Sequence, residues 1–267
     1  MSVASSQFSA QTSLGERKVA IVVALEREVH RVVKRWPRRE RHLDGRSFTF
    51  FENGDAVLVC AGIGREAARQ ASEAAVALYR PELLISAGFA GALSPGLAAG
   101  EWVLPAVVID ARDGSRFETD IHKTSLEKTA ARNLVLVSAD DVADPERKAV
   151  LFRTYSAYAV DMEAAAVAQV AREHRLQFLA VKAVSDESKF EMPPVERFVR
   201  ADGELDVWGL AGYAGPRFWL WPRLLTLARN SSLASEALCS WLEDGVQWQS
   251  LVTPLLNTLP NREVTTR

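Results

Sequence analysis

The sequence predicts an α/β protein whose central sheet is mixed but mostly parallel and is flanked by helices. Short β-branched apolar runs alternate with helical repeats of apolar residues over the first 190 positions. The runs show no polar alternation, which is typical of strands covered on both faces. A composition of 48% apolar residues and a net charge of −2 fits a globular chain, and the charge gives no signal for nucleic-acid binding.

About seven strands are predicted before residue 190, and two of them form a hairpin. Asn53-Gly54 marks that hairpin, because a type I′ turn needs positive φ at both central residues. The small residues at 88–93 are expected to form a loop after a strand. The predicted strands are residues 18–24, 47–52, 56–60, 81–87, 102–109, 134–138 and 178–184.

Four long helices separate these strands. The first follows the first strand and ends at Pro37, and the second covers residues 65–79. The third begins with Asp144 as N-cap and Pro145 at the first helical position, and it extends to about residue 155. The fourth has small apolar residues at helical spacing between residues 164 and 173.

Composition divides the chain into three parts. Residues 1–16 are polar and lack the apolar core of a signal peptide, so we expect a disordered tail on a cytoplasmic protein. Residues 17–190 form the main α/β domain, and residues 191–267 form a helical extension packed on it. No run reaches the roughly 18 apolar residues of a transmembrane helix. The 2 cysteines and 4 histidines show no ligand or disulfide spacing, so no metal or cofactor is expected.

Three carboxylates stand where predicted strands end. Glu28 lies in a first helical turn just beyond a strand, Glu163 lies where a strand passes into a helix, and Asp186 follows the last strand. Ligands of open α/β sheets bind outside the carboxyl ends of the strands. Taken alone, Glu28 is also explained by the preference of acidic residues for helix N-termini. The Gly62-Ile63-Gly64 turn either lets backbone N–H groups approach an anion or a sugar closely, or reflects ordinary turn chemistry.

Taken together, four short motifs over residues 18–187 resemble the nucleoside phosphorylase and nucleosidase superfamily, and most closely its methylthioadenosine/adenosylhomocysteine nucleosidases. Each motif is weak alone, but their order and spacing match the family. The motifs are Ala24-Leu25-Glu26-Arg27-Glu28-Val29, Gly62-Ile63-Gly64, Gly88-Phe89-Ala90-Gly91, and Val160-Asp161-Met162-Glu163 with Ser185-Asp186.

The resemblance implies cleavage of a purine N-glycosidic bond within a catalytic domain of residues 17–190. Asp186 matches the acid that protonates N7 of the purine, with Ser185 orienting its carboxyl, and burial is expected to raise the pKa of that acid. Glu28 matches the carboxylate that deprotonates the attacking water. Glu163 matches the residue that holds the ribose hydroxyls, and Met162 matches the thioether packed beneath the sugar.

Some positions depart from the family pattern. Phe89 stands where a small polar residue is usual, Val142 stands where an aromatic residue usually meets the base, and Asp161 replaces the more usual Glu. We therefore expect Gly64, Phe89 and Val142 to border the substrate, with base stacking supplied by Phe89 or Phe190. These departures leave the exact nucleoside open.

Water is the expected nucleophile, and phosphate is the alternative. Residues 87–93 contain no basic residue, whereas phosphorylases of the family carry an arginine there. A phosphate would also meet the like charge of Glu28. Arg65 is the one candidate anion ligand. A catalytically silent nucleoside-binding protein is a further alternative, which a product assay would decide.

The extension is rich in tryptophan and is similar to that of hopanoid-associated members of the superfamily, whose nucleoside carries a triterpenoid. An apolar stripe along residues 223–242 predicts a helix that either packs on the sheet or contacts a lipid-like substrate or a membrane surface. With the second interpretation, residues 187–221 form a trough beside Asp186 that includes Trp219 and Trp221. The resemblance also implies a homo-oligomer.

Overall fold

The structure is a computed structural model that describes residues 19–120, 134–198, 200 and 206–243. The predicted tail at residues 1–16, and Trp248 of the extension, lie outside these residues. Eleven strands and six α-helices alternate in the described part, together with short 3-10 turns at Val195–Phe198 and Phe218–Leu220. In that part no helix is both long and apolar enough to cross a membrane.

The strands form one mixed sheet. They are β1 (Val19–Val23), β2 (Arg38–Leu43), β3 (Arg46–Asn53), β4 (Ala56–Cys60), β5 (Leu83–Ala92), β6 (Trp102–Val103), β7 (Val107–Asp110), β8 (Arg116–Glu118), β9 (Val135–Ser138), β10 (Ala159–Asp161) and β11 (Gln177–Asp186). The main path runs β2-β3-β4-β1-β5-β10-β9-β7-β8, and β11 pairs with β5 and β6. Most inner pairs are parallel, which confirms the predicted fold class.

The helices cover both faces of the sheet. They are α1 (Glu26–Val33), α2 (Arg65–Tyr79), α3 (Pro145–Tyr155), α4 (Ala164–Glu173), α5 (Val207–Ala214) and α6 (Trp221–Glu243). Alanine-rich faces of α2 and α4 pack in one core, and α1 with the second half of α6 packs in another. The extension therefore shares a core with the main domain through Ala234, Leu238 and Trp241.

Strand β5 is the centre of the sheet because it is paired along both edges. β11 runs beside it in parallel from Leu83 to Gly91, while its other edge pairs first with β1 and then with β10. The predicted loop at residues 88–93 is therefore wrong: most of it continues β5. Small residues are common in loops, but in β5 they let flanking side chains approach the strand closely at Gly88 and Gly91.

Further strand assignments differ from the prediction, and the short strand β8 was not predicted either. The expected strand at residues 102–109 is divided into β6 and β7 around Pro105, which has no N–H for a ladder hydrogen bond. The polar edge strand β2 was not predicted, because its Arg- and Glu-rich sequence has no apolar face. Its only signal was Asp44-Gly45, where both φ angles are positive, at 49° and 78°.

Candidate functional site

A cavity of about 1290 Å³ opens at the carboxyl edge of the sheet. Its inner wall comes from the turns after β4, β9 and β10 and from the ends of β5 and β11. Its outer wall comes from α5, α6 and the segment before them. Five of the six predicted substrate-binding residues line it, namely Gly64, Phe89, Val142, Met162 and Ser185, whereas the sixth, Glu163, does not. The three predicted carboxylates are not among the lining residues, but each directly follows one of them in the chain.

Glu28 is 4% exposed at the start of α1. No described residue donates a hydrogen bond to its Oε2, and the same oxygen lies 3.0 Å from the position that a Cβ on Gly88 would occupy. Burial, reinforced by the negative charge of Glu163, raises the pKa of Glu28 to about 8. A carboxyl with one unpartnered oxygen and this pKa can exchange a proton near neutral pH, as a general base must.

Glu163 is held by backbone N–H groups at the entrance to α4. Its Oε1 accepts from Gly64 N at 2.8 Å, and its Oε2 accepts from Met162 N at 3.3 Å. Gly64 has a φ of 97°, so glycine is needed where the turn brings this N–H to the carboxylate. Burial raises the pKa of Glu163 despite the nearby Lys182 cation. The Gly-x-Gly turn thus anchors a side chain of the site.

Lys182 is a buried cation that sequence reasoning missed. It is 1% exposed, and its Nζ lies 2.8 Å from Asp161 Oδ2. Burial alone would lower the pKa of Lys182, but the charges of Asp161, Glu163 and Glu28 raise it. A lysine within an apolar strand covered on both faces was the available signal, because a buried charge needs a partner.

Asp161 links this cation to the start of α4. Its Oδ1 accepts from Ser138 Oγ at 2.5 Å, and its Oδ2 accepts from Ala164 N at 2.8 Å. The departure from the family's usual Glu therefore places a shorter carboxylate at a helix N-terminus, where its charge is favourable.

Asp186, the last residue of β11, is 4% exposed and is held by two side chains. Ser185 Oγ donates to its Oδ1 at 2.8 Å, as the predicted orienting role requires. Its Oδ2 forms an ion pair with Lys148 of α3, whose Nζ also donates to Glu187 O at 2.8 Å. Nothing in the sequence pattern of α3 had singled out Lys148.

The two ends of the site are joined by β5 and β11. In their register Lys182 lies opposite Gly88, beside Glu28, and Asp186 lies opposite Gly91. The two glycines are three positions apart along the strand, a spacing on the order of 10 Å. One end therefore offers a carboxyl that titrates near pH 8, and the other an aspartate paired with an ammonium group.

Arg65 is already engaged by carboxylates. It forms a two-pronged pair with Asp110 at 2.7 and 2.8 Å, and its Nε lies 3.1 Å from Asp140 Oδ1. This makes Arg65 a structural link between α2 and the turns after β7 and β9, not a free anion ligand. Among the described residues, no group of three or more His, Cys, Asp or Glu side chains is arranged to hold a metal.

The extension forms the outer wall, but not through the tryptophans named above. Met192, Val195, Leu210, Leu224 and Leu227 line the cavity. Trp219 and Trp221 do not, and they are 60% and 51% exposed. Phe190 does not line the cavity either. Of the two residues predicted to stack on the base, only Phe89 therefore lines it.

A parallel-centred sheet with helices on both faces, and a cavity at the carboxyl ends of its strands, defines a nucleoside phosphorylase-like α/β protein. The chain belongs to the phosphorylase superfamily, whose family model matches residues 18–139 and 131–205.

Named relatives lie among the nucleosidases. The 5′-methylthioadenosine/S-adenosylhomocysteine nucleosidase of Shewanella loihica is 26% identical over 204 residues, which cover 66% of this chain and 89% of the relative. The Bacillus licheniformis enzyme of the same name is 27% identical over 63% of this chain and 85% of its own.

Solved structures share the fold. The Neisseria meningitidis nucleosidase in complex with methylthio-immucillin-A aligns with a TM-score of 0.65 and 21% identity, covering 86% of this chain and 98% of that one. Futalosine hydrolase of Helicobacter pylori aligns with a TM-score of 0.64 and 17% identity, covering 86% and 97%.

Proposed function

We propose that the protein hydrolyses the N-glycosidic bond of a purine nucleoside, with adenine as the departing base. The observation that carries the proposal is that Glu28, Glu163 and Asp186 are buried beside one cavity. Each of them is next to a cavity-lining residue, either along the chain or through a hydrogen bond. The names of the relatives support the same reaction class.

The proposed acid is Asp186. Breaking the bond from C1′ to N9 leaves negative charge on the purine, and protonation at N7 relieves it. Ser185 lines the cavity and holds one carboxyl oxygen of Asp186, which fixes the direction in which the acid can donate. Such a proton transfer typically accelerates a reaction by about 10²–10⁴-fold.

The proposed base is Glu28, which takes a proton from the attacking water. Its unpartnered Oε2 leaves an acceptor free for that water among the described residues. Glu163 would accept hydrogen bonds from the ribose hydroxyls, with its position fixed by the Gly64 and Met162 N–H groups. Met162 lines the cavity beside it and would pack against the sugar.

Water is favoured over phosphate as the nucleophile. Arg65 is neutralised by Asp110 and Asp140, so it is not available to hold a phosphate dianion. The test is incubation of purified protein with an adenine nucleoside, with and without phosphate. Free ribose in both reactions supports hydrolysis, and ribose 1-phosphate formed only with phosphate would establish the phosphorolytic alternative. Nucleoside binding without any product would establish that the protein is a catalytically silent nucleoside-binding protein.

We infer further that the nucleoside carries a large apolar group, with adenosylhopane as the leading candidate from the resemblance of the extension. The cavity exceeds the roughly 300–1,000 Å³ of ordinary small-molecule pockets. Its outer wall is apolar at Met192, Val195, Leu210, Leu224 and Leu227. A sugar and a base leave much of that wall uncovered, whereas a lipid tail at the ribose 5′ position would bury it.

A pair of leucine variants tests the lipid tail. Leu210→Ser and Leu227→Ser should each reduce cleavage of adenosylhopane several-fold more than cleavage of adenosine or methylthioadenosine, because only the lipid contacts this wall. Leu225→Ser, on α6 but 65% exposed and outside the cavity, is the matched control. Equal losses on all three substrates would reject the lipid assignment.

We also propose weak contact of this extension with a membrane surface. Leu210 and Leu224 face the cavity, while Trp208 on α5 and Trp221 on α6 are exposed, so both helices are apolar on two sides. Trp208→Ser with Trp221→Ser should reduce co-sedimentation with liposomes. Failure of the wild type to co-sediment would reject the membrane contact. If the two substitutions changed the oligomeric state in sedimentation equilibrium but not liposome binding, these residues would belong to a homo-oligomer interface.

A further inference from the structure

Lys148 occupies a position that is unfavourable for a cation. It lies in the first turn of α3, where the helix dipole is positive, and it is 2% exposed. Both the dipole and the loss of hydration act against an ammonium group there. Its burial therefore depends on the two acceptors it meets, which are the Asp186 carboxylate and the Glu187 carbonyl.

Close packing around β5 keeps this pair together. A Cβ on Gly91 would lie 2.9 Å from Asp186 Oδ2 and 3.3 Å from Lys148 Cε, so any side chain there would displace one of them. With Ser185 on the other oxygen, each carboxylate oxygen of Asp186 has a hydrogen-bond donor. The ammonium and the carboxylate thus form a unit that holds an exchangeable proton away from solvent.

We propose that Lys148 is a positioning residue for the general acid: it holds Asp186 and supplies the proton that Asp186 passes to N7 of the purine. The inference rests on the hydrolysis proposed above, and it assigns a task to a residue outside the motifs that carry the resemblance.

The proton transfers balance over the reaction. An Nζ–H bond of Lys148 breaks and its proton joins Asp186, while Asp186 delivers a proton to N7. The bond from C1′ to N9 breaks with its electron pair going to the base, and water forms the new bond to C1′ as its proton goes to Glu28. Release of that proton to solvent and uptake of one by neutral Lys148 restore the resting enzyme.

The decisive measurement is the pH profile of kcat on an adenine nucleoside. In Lys148→Gln, Asp186 must hold the proton alone, so the high-pH limb of kcat should move down by about one pH unit or more, with kcat reduced about 10²-fold. Lys148→Arg keeps a cation beside Asp186, but a guanidinium does not release a proton, so kcat should stay reduced in this variant as well.

A second substrate separates proton supply from structural damage. 4-Nitrophenyl β-D-ribofuranoside has a leaving group that needs no proton, so its cleavage should fall far less in Lys148→Gln than cleavage of the purine nucleoside. The ratio of the two activities does not depend on how much of the variant is folded. Lys189→Gln, which alters an exposed lysine in the segment after β11, should match the wild type on both substrates.

The outcomes are distinguishable. A wild type that releases adenine from no nucleoside rejects the proposed reaction and this role with it. A wild type that is active, with a Lys148→Gln profile that is lower but not displaced, overturns the role of Lys148 alone. If 4-nitrophenyl riboside is not cleaved by the wild type, the displacement of the pH limb decides the matter.

Discussion

The titration of Glu28 gives the sharpest test of the site. A general base acts only when ionised, and burial raises the pKa of Glu28 to about 8. The value of kcat/KM, which reports the free enzyme, should therefore rise with pH and reach half its plateau near pH 8. This limb is unusual for a glutamate, whose ordinary pKa is near 4.5.

The magnitude follows from the ionised fraction. One pH unit below the pKa about a tenth of the carboxyl groups are ionised, and two units below it about a hundredth. We expect kcat/KM at pH 7 to be roughly tenfold below the plateau and at pH 6 roughly 100-fold below it. Glu28→Gln keeps the shape but removes the base, so about 10²-fold or more should be lost at the plateau and the slope should disappear.

The assay is chromatographic detection of adenine between pH 5.5 and 9.5. Glu26→Gln is the matched control, because it makes the same change two residues earlier on α1 at a side chain that is 40% exposed. The control should retain the wild-type profile. An unchanged low-pH limb in an active Glu28→Gln variant would show that another group titrates, and a wild type with no limb between pH 7 and 9 would contradict the burial argument.

Three further predictions concern stability and geometry. The pKa of Glu28 in the folded protein is raised above 4.5, so its contribution to the free energy of unfolding is greatest below about pH 4.5 and is lost as pH rises toward 8. In urea titrations at pH 8–9, Glu28→Gln should therefore be more stable than the wild type by on the order of a few kcal/mol. Gly91→Ala should lower kcat about tenfold or more with a smaller effect on melting temperature, because the added methyl meets Asp186; wild-type kcat would refute the close packing. Arg65→Met should cost about 2–3 kcal/mol of unfolding free energy, because buried Asp110 loses its two-pronged partner and keeps only its contacts with Arg112; product analysis should still show free ribose.

Local patterns identified most elements because each pattern had one dominant physical cause. The apolar run at residues 178–184 became β11, where every residue is buried, and the Asp144-Pro145 start became α3, with Asp144 accepting from Arg147 N at 2.7 Å. The failures had a cause as well. A stretch of small residues at 88–93 carries no propensity of its own, so pairing on both edges decided that it is strand.

The candidate site divides in the same way. Residues attached to a motif, such as Glu163 after Met162 and Asp186 after Ser185, were identified from the resemblance. Lys148 and Lys182 were not, because their importance comes from partners 38 and 21 positions away in the chain, with which they form the buried ion pairs to Asp186 and Asp161.

By itself the sequence determined most of the strands and helices, and it marked three carboxylates at strand ends, because hydrophobic periodicity and turn chemistry act over a few neighbouring residues. Only the tertiary structure decided the environment of those carboxylates. Burial raises the pKa of Glu28, a cation from α3 meets Asp186, and α6 closes the cavity with leucines instead of tryptophans. These features depend on distances between segments remote in the chain, which a linear pattern does not encode.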